Sequence, residues 1–325
     1  MSKSERRHVP VLSKQVLEYL AVRPGGTYVD CTLGLAGHAS QVARQLGAKG
    51  RLIGFDRDSE ALKLASERLE ALSSELGEAM PAVTLIGEPF SRASEFVEAG
   101  TVDGLLADFG VSSMQLDQPE RGFSFQADGP LDMRQDTRQP VTAEQVVNEM
   151  DERDLANLIY EYGEERRSWR IARAIVRARP IATTGQLARV VAGSVPAIKG
   201  ERIHPATRTF QALRIHVNRE LEEIERLMKA APKLLKPGGR IVVISFHSLE
   251  DRIAKDAMKE GAAQGVWTLL TRKPAVGSEE EISANPRARS AKLRAAEKNS
   301  IEQEKASRLR DRNRQGSDRR SWEIR

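Results

Sequence analysis

Two hydrophobic rhythms alternate along the first third of the chain. Short β-rich runs at residues 27–31 (TYVDC), 51–56 (RLIGFD), 83–87 (VTLIG) and 102–108 (VDGLLAD) predict strands. Between them, residues 38–46 and a stretch opening at Asp58-Ser-Glu and running to Leu76 carry helical spacing, with Ala61, Leu62, Ala65, Leu69 and Leu72 on one stripe. Gly34, Gly37, Gly47 and Gly50 mark the turns. Repeated β-α-β units with nearly continuous apolar strands imply a parallel sheet covered on both faces.

The strand rhythm stops at about Gln115 and returns only after Val217. Residues 117–136, rich in Gly, Pro and charge, predict a loop, and helices are expected over 142–150, 151–162, 164–179, 184–195 and 205–235. Pro237-Gly-Gly predicts a tight turn into the strongest strand of the chain, 240–246 (RIVVISF), and 267–271 and 290–296 offer further strands. The expected fold class is therefore α/β: a Rossmann-like, mainly parallel sheet interrupted by an inserted all-helical domain. The expected boundaries are 1–114 for the first part of the sheet domain, 115–217 for the insert, 218–298 for the second part and 299–325 for a tail. Residues 301–325 show no packing stripe and are expected to be frayed or disordered.

Composition narrows the class. The 325 residues include 40% hydrophobic and 30% charged side chains, too apolar for a disordered protein, and no apolar run approaches the ~20 residues of a membrane span. The first residues lack a secretory apolar core, so a soluble, cytoplasmic protein is expected. A single cysteine, Cys31, excludes an internal disulfide framework. The formal charge of +5 is uneven: residues 286–325 carry 13 Lys/Arg against 6 Asp/Glu, and the remainder is slightly acidic. A basic tail reads as a solvated or nucleic-acid-contacting arm.

The first βα turn of such a sheet is the usual nucleotide site, and here it reads Asp30-Cys-Thr-Leu-Gly34-Leu-Ala-Gly37-His38. Asp56, 22 residues beyond Gly34 at the tip of the next strand, suits a carboxylate that grips both ribose hydroxyls of an adenosine cofactor. No phosphate loop of the G-x-x-x-x-G-K-[ST] type is present, and the helical insert occupies the place of the second half that a dinucleotide needs. S-adenosylmethionine has no pyrophosphate and is favoured over NAD.

Several segments resemble the MraW/RsmH family: His8-Val-Pro-Val-Leu, 29–38 (VDCTLGLAGH), Phe55-Asp-Arg-Asp, 108–113 (DFGVSS), 120–125 (ERGFSF), 129–134 (GPLDMR), 162–166 (YGEER), 204–211 (HPATRTFQ) and 244–252 (ISFHSLEDR). The resemblance runs in order from His8 to about Lys298. It implies a class I S-adenosylmethionine-dependent methyltransferase that modifies the N4 amine of a cytidine in the decoding region of 16S rRNA, with the helical insert recognising substrate. The cofactor contacts it implies fall on Ala36, Gly37, His38, Asp56, Phe90, Asp108 and Gln115, beside Gly34, whose place in the turn lets backbone approach a ligand. Ala36 and Cys31 stand where the family usually has glycine; alanine at 36 is expected to fit if its φ is negative, and Cys31 to be a buried small residue.

Asp108, at the end of the fourth strand, and His247, at the end of the fifth, are the expected catalytic residues, the first as acceptor for the amine and the second for substrate or proton handling. Ser245 and Ser248 are weaker candidates for contact with the base or backbone. No histidine pair has metal-ligand spacing with nearby acids, so no metal is expected. A stacked base must be exposed to reach a buried donor, which calls for aromatic stacking and cations on phosphates. Arg166, Arg167, Arg170, Arg173 and Arg177 recur along one predicted helix and either meet RNA or form ion pairs with acids such as Glu161. Phe123, Phe125 and Trp322 are candidate stacking residues. The expected partner is 16S rRNA in the small subunit, with no membrane; the number of associated chains is open, a homodimer being one option. The rival readings are a methyltransferase acting on another RNA base, a non-catalytic RNA-binding assembly factor and, more remotely, a nicotinamide oxidoreductase.

Overall fold

The structure, a computed structural model, describes residues 10–196 and 203–300. The 299–325 tail, Trp322 included, lies outside the described residues from position 301 onward, as does His8. The chain divides into two compact units, one formed by residues up to Gly110 together with those from Glu223, the other by Val111–Glu222. Among the described residues no helix is long and apolar enough to cross a membrane.

The first unit opens with α1 (Ser13–Leu20) and continues as β1 (Thr27–Asp30), α2 (Gly37–Leu46), β2 (Arg51–Phe55), α3 (Ser59–Leu76), β3 (Ala82–Ile86), the short α4 (Ala93–Phe96) and β4 (Val102–Asp108). Asp58 caps α3 by accepting from the N–H groups of Glu60 and Ala61. After the second unit the chain adds β5 (Leu235–Ser245), α12 (Ser248–Ala263), β6 (Trp267–Leu269), α13 (Glu279–Ala284) and β7 (Lys292–Lys298). The seven strands stand in the order β3-β2-β1-β4-β5-β7-β6. Pairings from β3 to β5 are parallel, and β7 is antiparallel to both β5 and β6. Leu12, Leu46, Leu52, Phe55, Leu105 and Leu106 are fully buried around the sheet. Strands covered on both faces read as unbroken apolar runs, which is why β5 is the plainest in sequence.

β5 starts earlier than expected. Val102 pairs with Leu235 and Gly104 with Arg240, so Pro237, Gly238 and Gly239 sit in an irregularity within the strand pairing, not in a turn ahead of it. α1 and α12 were not among the expected helices. α1 follows Leu12 in the left-handed region with no side-chain cap, so the usual polar start signal is missing.

The second unit contains α5 (Ser113–Asp117), α6 (Ala143–Glu149), α7 (Glu152–Gly163), α8 (Ser168–Ala178), α9 (Thr184–Ser194) and α10 (Ala206–Asn218). Leu131, Met133, Leu155, Ile159 and Ile171 are its fully buried centre. Reciprocal caps start α6 (Thr142 with Gln145) and α9 (Thr183 with Gln186). Two expected helices are corrected. The helix predicted over 164–179 begins at Ser168, because Glu164 is left-handed (φ 49°). The one predicted over 205–235 is two, since Arg219 is left-handed (φ 51°) and α11 (Glu220–Leu234) starts afresh. Asn218 anchors the break: its buried amide donates to the carbonyls of Met133 and Arg214 and accepts from the N–H of Gln135.

Candidate active site

The strand order reverses between β1 and β4, and β1, β2, β4 and β5 run in parallel, so their carboxyl ends share one edge. Open α/β sheets bind ligands in the crevice at such a reversal. The loop after β1 is tied to both neighbouring strands there. Its Thr32 hydroxyl accepts from the N–H of Asp108 at 2.6 Å, and the N–H of Leu33 donates to the Phe55 carbonyl at 2.9 Å. Asp56 closes the same loop from β2: one carboxylate oxygen accepts from Gly34 N–H at 2.8 Å and the other from Asp58 N–H at 2.9 Å. Gly34 makes that bond at φ +50°, with the Thr32 carbonyl oxygen 3.9 Å from where a Cβ would stand.

Four ionisable groups gather at this edge. Asp30 is buried and accepts from Thr32 N–H at 3.1 Å. His38, only 7% exposed in the first turn of α2, places Nε2 3.7 Å from the Asp108 carboxylate. Neither ring nitrogen of His38 has a hydrogen-bond partner among the described residues, nor has the buried Oδ1 of Asp108. Buried polar atoms are normally satisfied, so these three are free to take hydrogen bonds from a polar ligand or water. Burial pushes the carboxyl of Asp30 up to about 6, against the pull of His38, with Asp108 and Asp56 adding repulsion. Asp56 is likewise pushed up to about 6 by burial, although the bonds from Asp58 and Gly34 oppose it.

The remaining expected residues divide. Phe90 is brought to the same edge by its ring contact with Phe109, which follows Asp108 (centroids 6.1 Å apart). Gly37 starts α2, and a Cβ on it would press on Pro10 at 3.3 Å, so its glycine character serves packing against that proline. Ala36 is corrected: its φ is +55°, not negative. The turn needs the left-handed state at 36, where its N–H donates to Leu33 and its carbonyl accepts from Ser40, and the fully buried methyl tolerates the strain. Cys31 is buried and its thiol is raised well above the usual range by burial, which makes it inert. Gln115 belongs to the second unit, where its side chain completes the cap of α5 with Ser112. Phe125 packs edge-on against Phe210 and Phe123 is buried, both inside the second unit.

At the end of β5, Phe246 and His247 donate their backbone N–H groups to one oxygen of Glu250, at 2.7 and 3.3 Å. The other oxygen lies 3.1 Å from His247 Nε2. Glu250 is fully buried and was missed in sequence, although its place three residues into a helix is the position that reaches back in a capping box. Ser245 Oγ donates to the Lys292 carbonyl at 3.4 Å, and Ser248 is an exposed residue at the start of α12.

The sequence profile of the MraW methylase family matches residues 5–299. The chain belongs to the MraW methylase family. Among its relatives is the ribosomal RNA small subunit methyltransferase H of Acidobacterium capsulatum, 67% identical over 292 residues that make up 90% of this chain and 98% of the relative. The protein of the same name from Koribacter versatilis is 56% identical, over 89% of this chain and 93% of its own length. That from Geobacter sulfurreducens is 51% identical, over 90% and 98%. For an MraW-family chain the sheet is the expected one, the class I methyltransferase arrangement, here with its antiparallel β7 in place.

Proposed function

We propose that this chain transfers a methyl group from S-adenosylmethionine to the N4 amine of one cytidine in the decoding region of 16S rRNA, in the cytoplasm. The observation that carries the reading is the set of buried polar atoms without partners where β1 and β4 part, His38 Nδ1 and Nε2 and Asp108 Oδ1. Methyltransferase relatives that align over nearly their whole length support it. The donor supplies an electrophilic methyl on a sulfonium. Asp56 holds the ribose hydroxyls: each oxygen already accepts one N–H, and an ionised carboxylate has further lone pairs. Phe90 packs beside the adenine. Gly34, Ala36 and Gly37 shape the backbone around the donor, and His38 offers it a ring nitrogen; Gln115 is a further contact that the family resemblance implies.

The amine lone pair of cytosine is delocalised into the ring, so the protein must align it and receive its hydrogens. Asp108 Oδ1 accepts a hydrogen bond from the amine, which localises electron density on N4. His247, oriented by Glu250, handles the departing proton; a buried carboxylate beside an imidazole fixes its orientation. Placement, more than covalent chemistry, is the main contribution of the protein to an in-line displacement.

The test is methyl transfer from labelled S-adenosylmethionine to small subunits from a strain lacking the modification, followed by mapping of the label. Label on N4 of a single decoding-region cytidine is expected. Label on another base would replace the substrate assignment, and binding to subunits without any transfer would favour an assembly factor.

A further inference from the structure

α8 is sharply two-faced. Ser168, Ile171, Ala172 and Ile175 recur at helical spacing and are buried in the second unit. The opposite side carries Trp169, Arg170, Arg173 and Arg177, all exposed, with Arg166 exposed just ahead of the helix. Within the helix, positions 170, 173 and 177 are separated by three and four residues, the spacing of a single stripe, and Arg166 precedes it in the turn. Arg173 meets an acid, with Nε 3.2 Å from Glu152 of α7. The side chains of Arg166, Arg170 and Arg177 have no hydrogen bond or ion pair among the described residues. Arg167, by contrast, is bound to the buried Glu165.

Trp169 has no role in the core of the unit: 52% of it is exposed, on the polar side of its helix. Tyr160, 59% exposed, stands in the last turns of α7, across the short connection from Trp169. Large aromatics among unpaired guanidinium groups are the composition of a single-stranded nucleic-acid platform, where rings stack on bases and cations follow the phosphates. An apolar protein partner would leave the arginines without counter-charges, and an acidic one would leave the rings without stacking partners.

We infer that the exposed side of α8, with Trp169 as stacking platform and Arg166, Arg170, Arg173 and Arg177 on the phosphates, docks an unpaired stretch of the substrate RNA away from the reacting base. The inference rests on the rRNA reading above and deepens it. The surface acts on RNA capture and not on the chemistry, so its loss raises KM for subunits and leaves kcat and donor affinity unchanged.

The experiment uses the full chain and three variants: Trp169→Ala, Trp169→Phe and the triple Arg166→Gln/Arg170→Gln/Arg177→Gln. Binding of a fluorescent, unstructured RNA oligonucleotide is measured across a salt series, beside calorimetry with S-adenosylmethionine and transfer kinetics on unmodified subunits. Trp169→Ala is expected to bind RNA about tenfold more weakly, with Trp169→Phe close to the parent. The triple variant is expected to flatten the slope of log affinity against log salt by about 2, three phosphate contacts at roughly 0.7 each. Unchanged donor binding together with a circular dichroism spectrum and melting curve like the parent's certifies that the variants are folded. RNA affinity, salt slope and KM equal to the parent's in both Trp169→Ala and the triple variant would overturn the inference while leaving the parent's transfer activity, and so the functional reading, intact. Weaker binding to whole subunits with unchanged binding to RNA would also overturn it, in favour of a protein contact. A parent chain that neither binds RNA nor transfers methyl would remove the reading and the inference together.

Discussion

Two buried polar groups of the helical unit and two of the sheet edge are treated in opposite ways. In the helical unit Glu165 and Asn218 are saturated, although Gln139 Oε1 and Thr209 Oγ1 there have no hydrogen-bond partner among the described residues. Glu165, 2% exposed, accepts from the backbone and side chain of Arg167 at 2.8 and 2.9 Å, with Arg208 3.6 Å away, and Asn218 completes its bonds to three backbone groups. At the sheet edge, His38 and Asp108 keep atoms with no partner. The carboxyl groups follow the same division. Burial raises Glu165, but the Arg167 hydrogen bonds outweigh it and hold the carboxyl below its usual range. Asp30 and Asp56, with weaker compensation, are pushed up to about 6. Saturated groups fix the backbone, as Asn218 fixes the break between α10 and α11. Open ones keep a cost that a ligand can remove.

This contrast can be broken at either end. The largest effect is expected from Asp108→Ala, which should lower methyl transfer at least about 100-fold, the usual scale of a lost acid–base or orienting group. Single-turnover kinetics reads it, and normal turnover together with normal donor affinity would remove Asp108 from the site. Glu165→Ala should do the reverse. It leaves donor affinity per folded molecule unchanged and costs about 2 kcal/mol of stability, less than a fully buried pair because Arg167 and Arg208 are partly exposed. Chemical denaturation followed by circular dichroism measures it.

The two classes of carboxyl should also separate by pH. Asp56 must be ionised to accept ribose hydroxyls, and its raised value means that it takes up a proton as pH falls through about 6. Donor affinity is therefore expected to be level above pH 7 and to fall towards tenfold per unit below 6, while Asp56→Asn shows a flat, weak profile. Glu165 has a lowered value, so its stabilisation is present above the ordinary carboxylate range and is lost only as pH falls through that lowered value. At pH 5 to 6 the chain should thus lose donor affinity while its helical unit stays folded; calorimetry and circular dichroism at matched pH test both. The smallest effect is expected at Ala36→Gly. Relief of left-handed strain is offset by a lost buried methyl and a more flexible unfolded chain, for a net change below about 1 kcal/mol, read as a shift in Tm.

The sheet was legible because strands buried on both faces write themselves as apolar runs, and the acid at the tip of β2 follows directly from that register. Local chemistry also made most of the inserted helices readable, through the Thr-x-x-Gln caps of α6 and α9. The break at Arg219 was not legible. Neither Gly nor Pro marks it, and its cause, the reach of Asn218 to residues 133 and 135, is a long-range contact with no local signature. The sign of φ at Ala36 was hidden for the same reason: the turn geometry comes from strands on either side. Of the candidate residues, Asp56 and Asp108 could be named because strand ends are predictable, whereas Thr32, which joins the loop to β4, and Glu250, which lies 3.1 Å from His247 Nε2, take their places through contacts that only the assembled sheet creates. Trp169 lay beyond periodicity, because exposure of a helical aromatic depends on which face the neighbouring helices cover.

The most direct test of the open-edge account is calorimetric titration of S-adenosylmethionine into the intact chain and into Asp56→Ala, side by side at pH 7.5. Saturable one-to-one binding by the intact chain, weakened at least about 100-fold in the variant through loss of charge-assisted hydrogen bonds to the ribose, is the result predicted. Equal affinity in the two proteins, or no heat of binding in the intact chain even with small subunits present, would contradict it.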